Sequence, residues 1–193
     1  LRGWIPRTTT RPRAINPGET KGAARTTCPR IASFLMWPTI RNLGVFQALW
    51  FLLVLGGDTY VIIAIAWALF HLKRFASSHE RFYLPIYAAL GLMMDGLLTA
   101  SGVLQFSTTF MPLWLVALWG IFPTTLHHGL RWCWGSHLWL IPVSAAGAAA
   151  TYVGGARLAD LTLPLGILPT VLILTPCWIG YFASVRLITS AKA

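Results

Sequence analysis

Asp95 is the residue of this sequence best placed to do chemistry. It stands in Gly91-Leu92-Met93-Met94-Asp95-Gly96-Leu97-Leu98, and no other charged residue occurs between Phe82 and Gln105. A carboxylate in so apolar a run has two readings. It is a proton, cation or substrate site, or it is a hydrogen-bonded clamp between helices, and either way it must face the interior of a bundle. The sequence leaves both readings open. Thr99 follows one helical turn later on the same face and is the expected partner of the carboxylate.

The second constellation is Thr124-Thr125-Leu126-His127-His128-Gly129-Leu130-Arg131-Trp132, preceded by the helix-loosening Pro123. His71 and His137 are expected at a similar level, so that four histidines from three helices would converge. Imidazole suits zinc, iron and copper. However, the histidine spacing matches no metal motif, and no cysteine or carboxylate is expected nearby, so neither a metal nor a cofactor is assigned. Thr124, Thr125, His127 and His128 are retained as candidate polar residues, and Arg131 as a group that would hold a phosphate head group. A direct Asp95–His127 pair is not expected, because their depths differ by about 15 Å in straight helices. No GxSxG, P-loop or GxGxxG sequence occurs. No Asp/Glu pair is expected to share a helix face, so two-carboxylate catalysis is not indicated.

These residues need elements to hold them. Of the 193 residues, 56% are hydrophobic and 10% charged, against about 25% charged in soluble domains. The mean hydropathy is +0.65. A soluble domain of this size leaves too much surface exposed to hide that much apolar area, so an all-α, polytopic transmembrane helix bundle is expected. A crossing needs about 17–25 apolar residues. Six runs are read as crossings, at about 38–56, 58–72, 82–105, 112–130, 138–152 and 163–187, the first two short enough to imply some tilt, thinning or snorkelling. Pro38 and Pro112 are expected in the first turns of their helices, Asp58 is expected to cap the second helix, and Pro169 and Pro176 fall inside the sixth. A five-span alternative joins residues 43–72 into one long helix.

Loop charges orient the chain. The six-span frame puts Arg41, Lys73, Arg74, Arg81, Arg131, Arg186 and Lys192 on one side and only Arg157 on the other, so both termini are expected in the cytoplasm. Aromatic anchors are expected at the inner interface (Trp37, Tyr83, Trp132, Trp134, Trp139) and at the outer one (Tyr60, Trp114, Tyr152). Small residues at four-residue spacing, Ser144/Ala148, Ala145/Ala149, Gly147/Thr151 and Gly96/Ala100, place the third and fifth helices at the bundle centre.

The net charge of +10 is concentrated at the start, where residues 1–35 hold seven Arg/Lys and one acid, Glu19. This stretch is expected to be a basic tail outside the 36–193 membrane domain. It is read either as upstream sequence preceding a natural start at Met36 or as a disordered cytoplasmic tail. Anionic lipid head groups, not nucleic acid, are the expected partner of this charge. Cys28, Cys133 and Cys177 form no CxxC, and Cys177 is expected to be a buried small hydrophobe.

The order of several short motifs carries a resemblance. Asn42-Leu43-Gly44-Val45-Phe46-Gln47 with Trp50 and Val54-Leu55-Gly56 is followed by Gly91–Asp95, Pro112-Leu113-Trp114, Leu118-Trp119, Phe122, Thr124–His127, Leu130-Arg131-Trp132 and Gly154-Gly155-Ala156-Arg157. Over residues 36–188 the chain resembles a bacterial integral-membrane family of unknown function, the DUF2878 type. The resemblance implies an inner-membrane location and companionship with lipid-modifying enzymes. Three functions are therefore carried forward: a non-catalytic partner in lipid or envelope metabolism, self-association included; a small proton-coupled transporter using Asp95; and a lipid-modifying enzyme using His127 and His128.

Overall fold

The computed structural model describes residues 29–108, 111–134 and 139–190. Among these residues the fold is all-α. Its helices are α1 (Pro29–Gly56), α2 (Val61–Arg74), α3 (Ser78–Ala100), α4 (Leu113–Ile121), α5 (Pro123–Leu126), α6 (Leu140–Leu158) and α7 (Ile167–Ser190), with 3-10 turns at Gly57–Tyr60 and Arg131–Trp134. One isolated antiparallel bridge joins Gln105 to Thr162. Three helical runs are long and apolar enough to cross a membrane, Trp37–Arg74, Ser78–Ala100 and Ile167–Thr189, and Leu113–Leu126 is a shorter apolar one. Large apolar side chains point outward, with Ile62 75%, Leu187 71% and Leu168 68% exposed. Such a surface is costly in water and costs nothing against lipid tails.

The run from residue 37 to 74 is a hairpin. Gly57 takes φ +59, a left-handed conformation that suits glycine, and the chain reverses there. The Arg41 guanidinium lies 5.3 Å from the centroid of the Phe75 ring; in one straight helix those residues would be about 50 Å apart. The single-helix alternative is thereby excluded. Helix α4 packs against both arms of the hairpin, and the reversal in turn starts α4. Pro112, the residue before its first turn, offers no capping side chain, and the Trp114 backbone N–H donates instead to Asp58 Oδ1 at 2.9 Å. Asp58 thus caps α4, not α2 as expected, while Tyr60 precedes α2 without a side-chain cap.

Other boundaries move as well. Helix α1 begins at Pro29 and carries Pro38 in its interior, not in its first turn. The expected tail falls mostly on residues 1–28, which lie outside the described residues, as do His137 and Lys192. Helix α3 starts at Ser78 because Ser77 is its N-cap, its hydroxyl accepting from Glu80 N at 3.1 Å. The expected fourth helix breaks at Phe122–Pro123 into α4 and α5, since proline has no N–H to donate. Helix α6 runs to Leu158 and α7 starts at Ile167, so Pro169 sits in the first turn of α7 and Pro176 inside it.

Burial also redistributes the expected centre. Ala145 and Ala149 of α6 are fully buried, as their small size suggested. In α3 the buried stripe runs through Glu80, Tyr83, Leu84, Tyr87, Gly91, Asp95 and Leu98, whereas Ala100 is exposed. The most enclosed segment is α4–α5, where five of nine and four of four residues are buried. Tyr83, Trp114 and Tyr152, expected as interface anchors, are buried, while Trp37 and Trp139 are exposed. Cys177 is partly buried.

Candidate functional site

Asp95 is completely buried, and both its carboxylate oxygens accept a hydrogen bond. Trp119 Nε1 of α4 donates to Oδ2 at 2.7 Å, and the Tyr152 hydroxyl of α6 donates to Oδ1 at 2.7 Å. One side chain thereby ties three helices. Glycine at position 91 makes room for this arrangement. A Cβ there would overlap the six-membered ring of Trp119, and that ring is fixed by stacking on Trp178, with centroids 5.5 Å apart and planes at 20°. Thr99 is not a partner of the carboxylate. Its hydroxyl donates to the Asp95 backbone carbonyl at 2.8 Å, the usual local bond of a helical threonine.

The Asp95 carboxylate borders a partly open cavity of about 170 Å³. About half of its lining residues are aromatic, with Trp50, Trp114, Trp119, Trp178, Phe106 and Tyr152 among them, and among the described residues no Lys or Arg lines it.

The second centre lies at the other end of α3. His71 sits in the last turn of α2 and Glu80 in the first turn of α3. The corner between them is closed by Phe75 N and Ala76 N donating to His71 O, and by Arg81 Nε donating to Leu72 O at 2.9 Å. His128 arrives from the turn after α5. Asn42 of α1 secures that turn, accepting from Gly129 N at 3.1 Å and donating to Thr124 O at 3.4 Å. Gly129 is required by this close approach, because a Cβ would come within 2.6 Å of Leu43 and 2.7 Å of Asn42. Glu80 Oε1 then lies 3.2 Å from His71 Nε2 and 3.1 Å from His128 Nε2, with Oε2 3.2 Å from the latter. The His71 and Glu80 side chains are buried, and His128 is about one-third exposed (32%).

A family model described as "Protein of unknown function (DUF2878)" matches residues 39–184. The chain belongs to the DUF2878 family. No curated protein and no solved structure matches it. The DUF2878 segment contains every residue of both centres.

The remaining candidates are placed as follows. The Thr124 and Thr125 hydroxyls donate to Ile121 O and Phe122 O at 2.7 Å and help carry the chain through the α4–α5 break. His127 lies beside Tyr87, with ring centroids 5.9 Å apart, and its Nε2 is buried without a hydrogen-bond partner. Arg131 is exposed. Of the histidines expected to converge, His71 and His128 do so, with ring centroids 4.9 Å apart. Two expectations are corrected here. A carboxylate, Glu80, does stand among the histidines, and Glu80 and Asp95 do share the buried face of α3, although about 22 Å apart along the axis. The signal for Glu80 was present as Ser77-Ser78-His79-Glu80, the S-x-x-E capping pattern.

Of the described groups, His71, Glu80 and His128 are the set with metal-ligand chemistry: their ligand atoms lie within 4.8 Å of one another.

Proposed function

We propose that this protein crosses the bacterial inner membrane six times, with both termini in the cytoplasm, and binds an amphipathic cation, an amine or ammonium with an apolar body, in the Asp95 cavity. It does so without catalysis of its own, as a partner in lipid or envelope metabolism. The observation that carries the ligand reading is the cavity wall. The Asp95 carboxylate accepts from two neutral donors, no Lys or Arg lines the wall among the described residues, and aromatic faces surround it. Aromatic faces attract cations, and a buried charge favours a ligand of opposite sign. The six-crossing topology is supported by the α1–α2 hairpin and the seven-to-one loop charges.

Two measurements test this. Protein in nanodiscs is titrated with an alkyltrimethylammonium and with its uncharged tert-butyl isostere, read by tryptophan fluorescence. The cation should bind at least about tenfold tighter, and Asp95→Asn should remove the preference. Equal binding of the two probes, or none, removes the ligand reading. Reporter fusions after Gly57, Thr109 and Asp160 should all report the external side; a cytoplasmic signal from any of them ends the six-crossing topology.

A further inference from the structure

The Glu80 centre is built from three segments of chain, and each is held by bonds other than those among the three side chains of the centre. Ser77 caps the start of α3, Arg81 closes the α2–α3 corner, and Asn42 secures the turn that carries His128. The three side chains nonetheless bring their ligand atoms within 4.8 Å of one another. Two imidazole Nε2 atoms and a carboxylate are the donor set of mononuclear zinc and related sites. A tetrahedral ion with bonds of about 2.0–2.1 Å sets its ligand atoms about 3.3 Å apart. The Glu80 oxygens stand 3.1 and 3.2 Å from the two nitrogens, and all three ligand atoms fall within 4.8 Å. The two histidine–glutamate separations are therefore already close to those around a bound ion.

We propose that His71, Glu80 and His128 bind one divalent transition-metal ion of the zinc type. The protein supplies three ligands, Nε2 of each histidine and a Glu80 oxygen. A hollow of about 40 Å³ adjoins both histidines and is bordered by Arg41, Asn42, Trp67 and Phe75, and it would leave room for water as a fourth ligand, as in three-ligand zinc sites. The ion would take the Nε2 lone pair of each imidazole, so the ring proton sits on Nδ1 in the bound form. The site is independent of the Asp95 cavity, about 22 Å further along α3.

The test uses the full chain in detergent, carrying no polyhistidine tag and stripped with chelator. Titration with Co²⁺ should give one ion per chain and the intense visible bands of a four-coordinate site, and Zn²⁺ should displace it. His128→Ala and Glu80→Gln should each weaken binding by about tenfold or more, with near-UV circular dichroism unchanged. His79→Ala, a neighbouring histidine outside the set, should bind as the wild type does. His128→Cys guards against misfolded variants, because it should keep the ion and add a thiolate-to-cobalt charge-transfer band that only correct placement produces. The proposal is overturned if the wild type takes up no stoichiometric ion, if the ligand variants bind as well as the wild type, or if His79→Ala loses binding as they do.

Discussion

Helix α3 presents two carboxylates on one buried stripe, and the bundle treats them differently. Asp95 is enclosed where only uncharged donors surround it, and an indole and a phenol satisfy its two oxygens. Glu80 lies in the first turn, where two imidazoles meet it beside a small hollow. The difference follows from burial. Neutral side chains that bring a polar hydrogen on a large apolar body cost least to bury, and they meet the fully buried Asp95. At the Glu80 centre His128 is about one-third exposed, so that centre keeps an edge open to the surface. The first centre is a three-helix clamp beside a cavity, and the second is a corner where two imidazoles meet a carboxylate.

The comparison breaks most visibly if the Asp95 clamp is forced open. Gly91→Ala should push the Trp119 ring off its place, adding an overpacking cost to a lost buried hydrogen bond, about 3 kcal/mol in all. Unfolding in mixed micelles should show it, and wild-type stability would mean that Trp119 is not held as described. Tyr152→Phe removes one donor and should cost about 2 kcal/mol. Saturating Zn²⁺ should raise the stability of this variant and of the wild type equally, since the centres are too far apart to couple; a changed increment would show that the two regions act as one. Asp58→Ala removes the cap that the α1–α2 reversal lends to α4, an expected loss of about 1 kcal/mol, seen in the same unfolding assay. An unchanged midpoint would return Asp58 to the role of a bystander. Thr99→Val should be the mildest, within about 0.5 kcal/mol, because the hydroxyl serves only its own helix. A loss as large as that of Tyr152→Phe would place Thr99 at the carboxylate after all.

Asp95 was legible because a lone charge in an apolar run has few places to go. Its partners were not, for reasons that can be named. Tyr152 was expected at a helix end; α6 continues to Leu158, which moves Tyr152 about 9 Å inward. Trp119 is one tryptophan among ten, and only the glycine gap at position 91 admits its ring to α3. Glu80 falls outside the expected third helix, 82–105, because the apolar run begins only at Phe82, whereas the Ser77 cap starts α3 at Ser78. Asp58 was correctly seen as a cap but assigned to the next helix in sequence, when the open N-terminus that needed it belonged to α4, brought close by the fold.

Composition and hydropathy by themselves determined that this is an all-helical chain with helices apolar enough for lipid, and that Asp95 must be paired inside. Those are one-dimensional facts: apolar run length and the cost of a charge in hydrocarbon need no partner to be stated. Only the tertiary structure decided which donors meet Asp95, that Glu80 lies between His71 and His128, and that the α1–α2 reversal starts α4. Each of these is a meeting of residues distant in sequence, and helix period and spacing fix the direction of a side chain along its own helix but not what stands opposite.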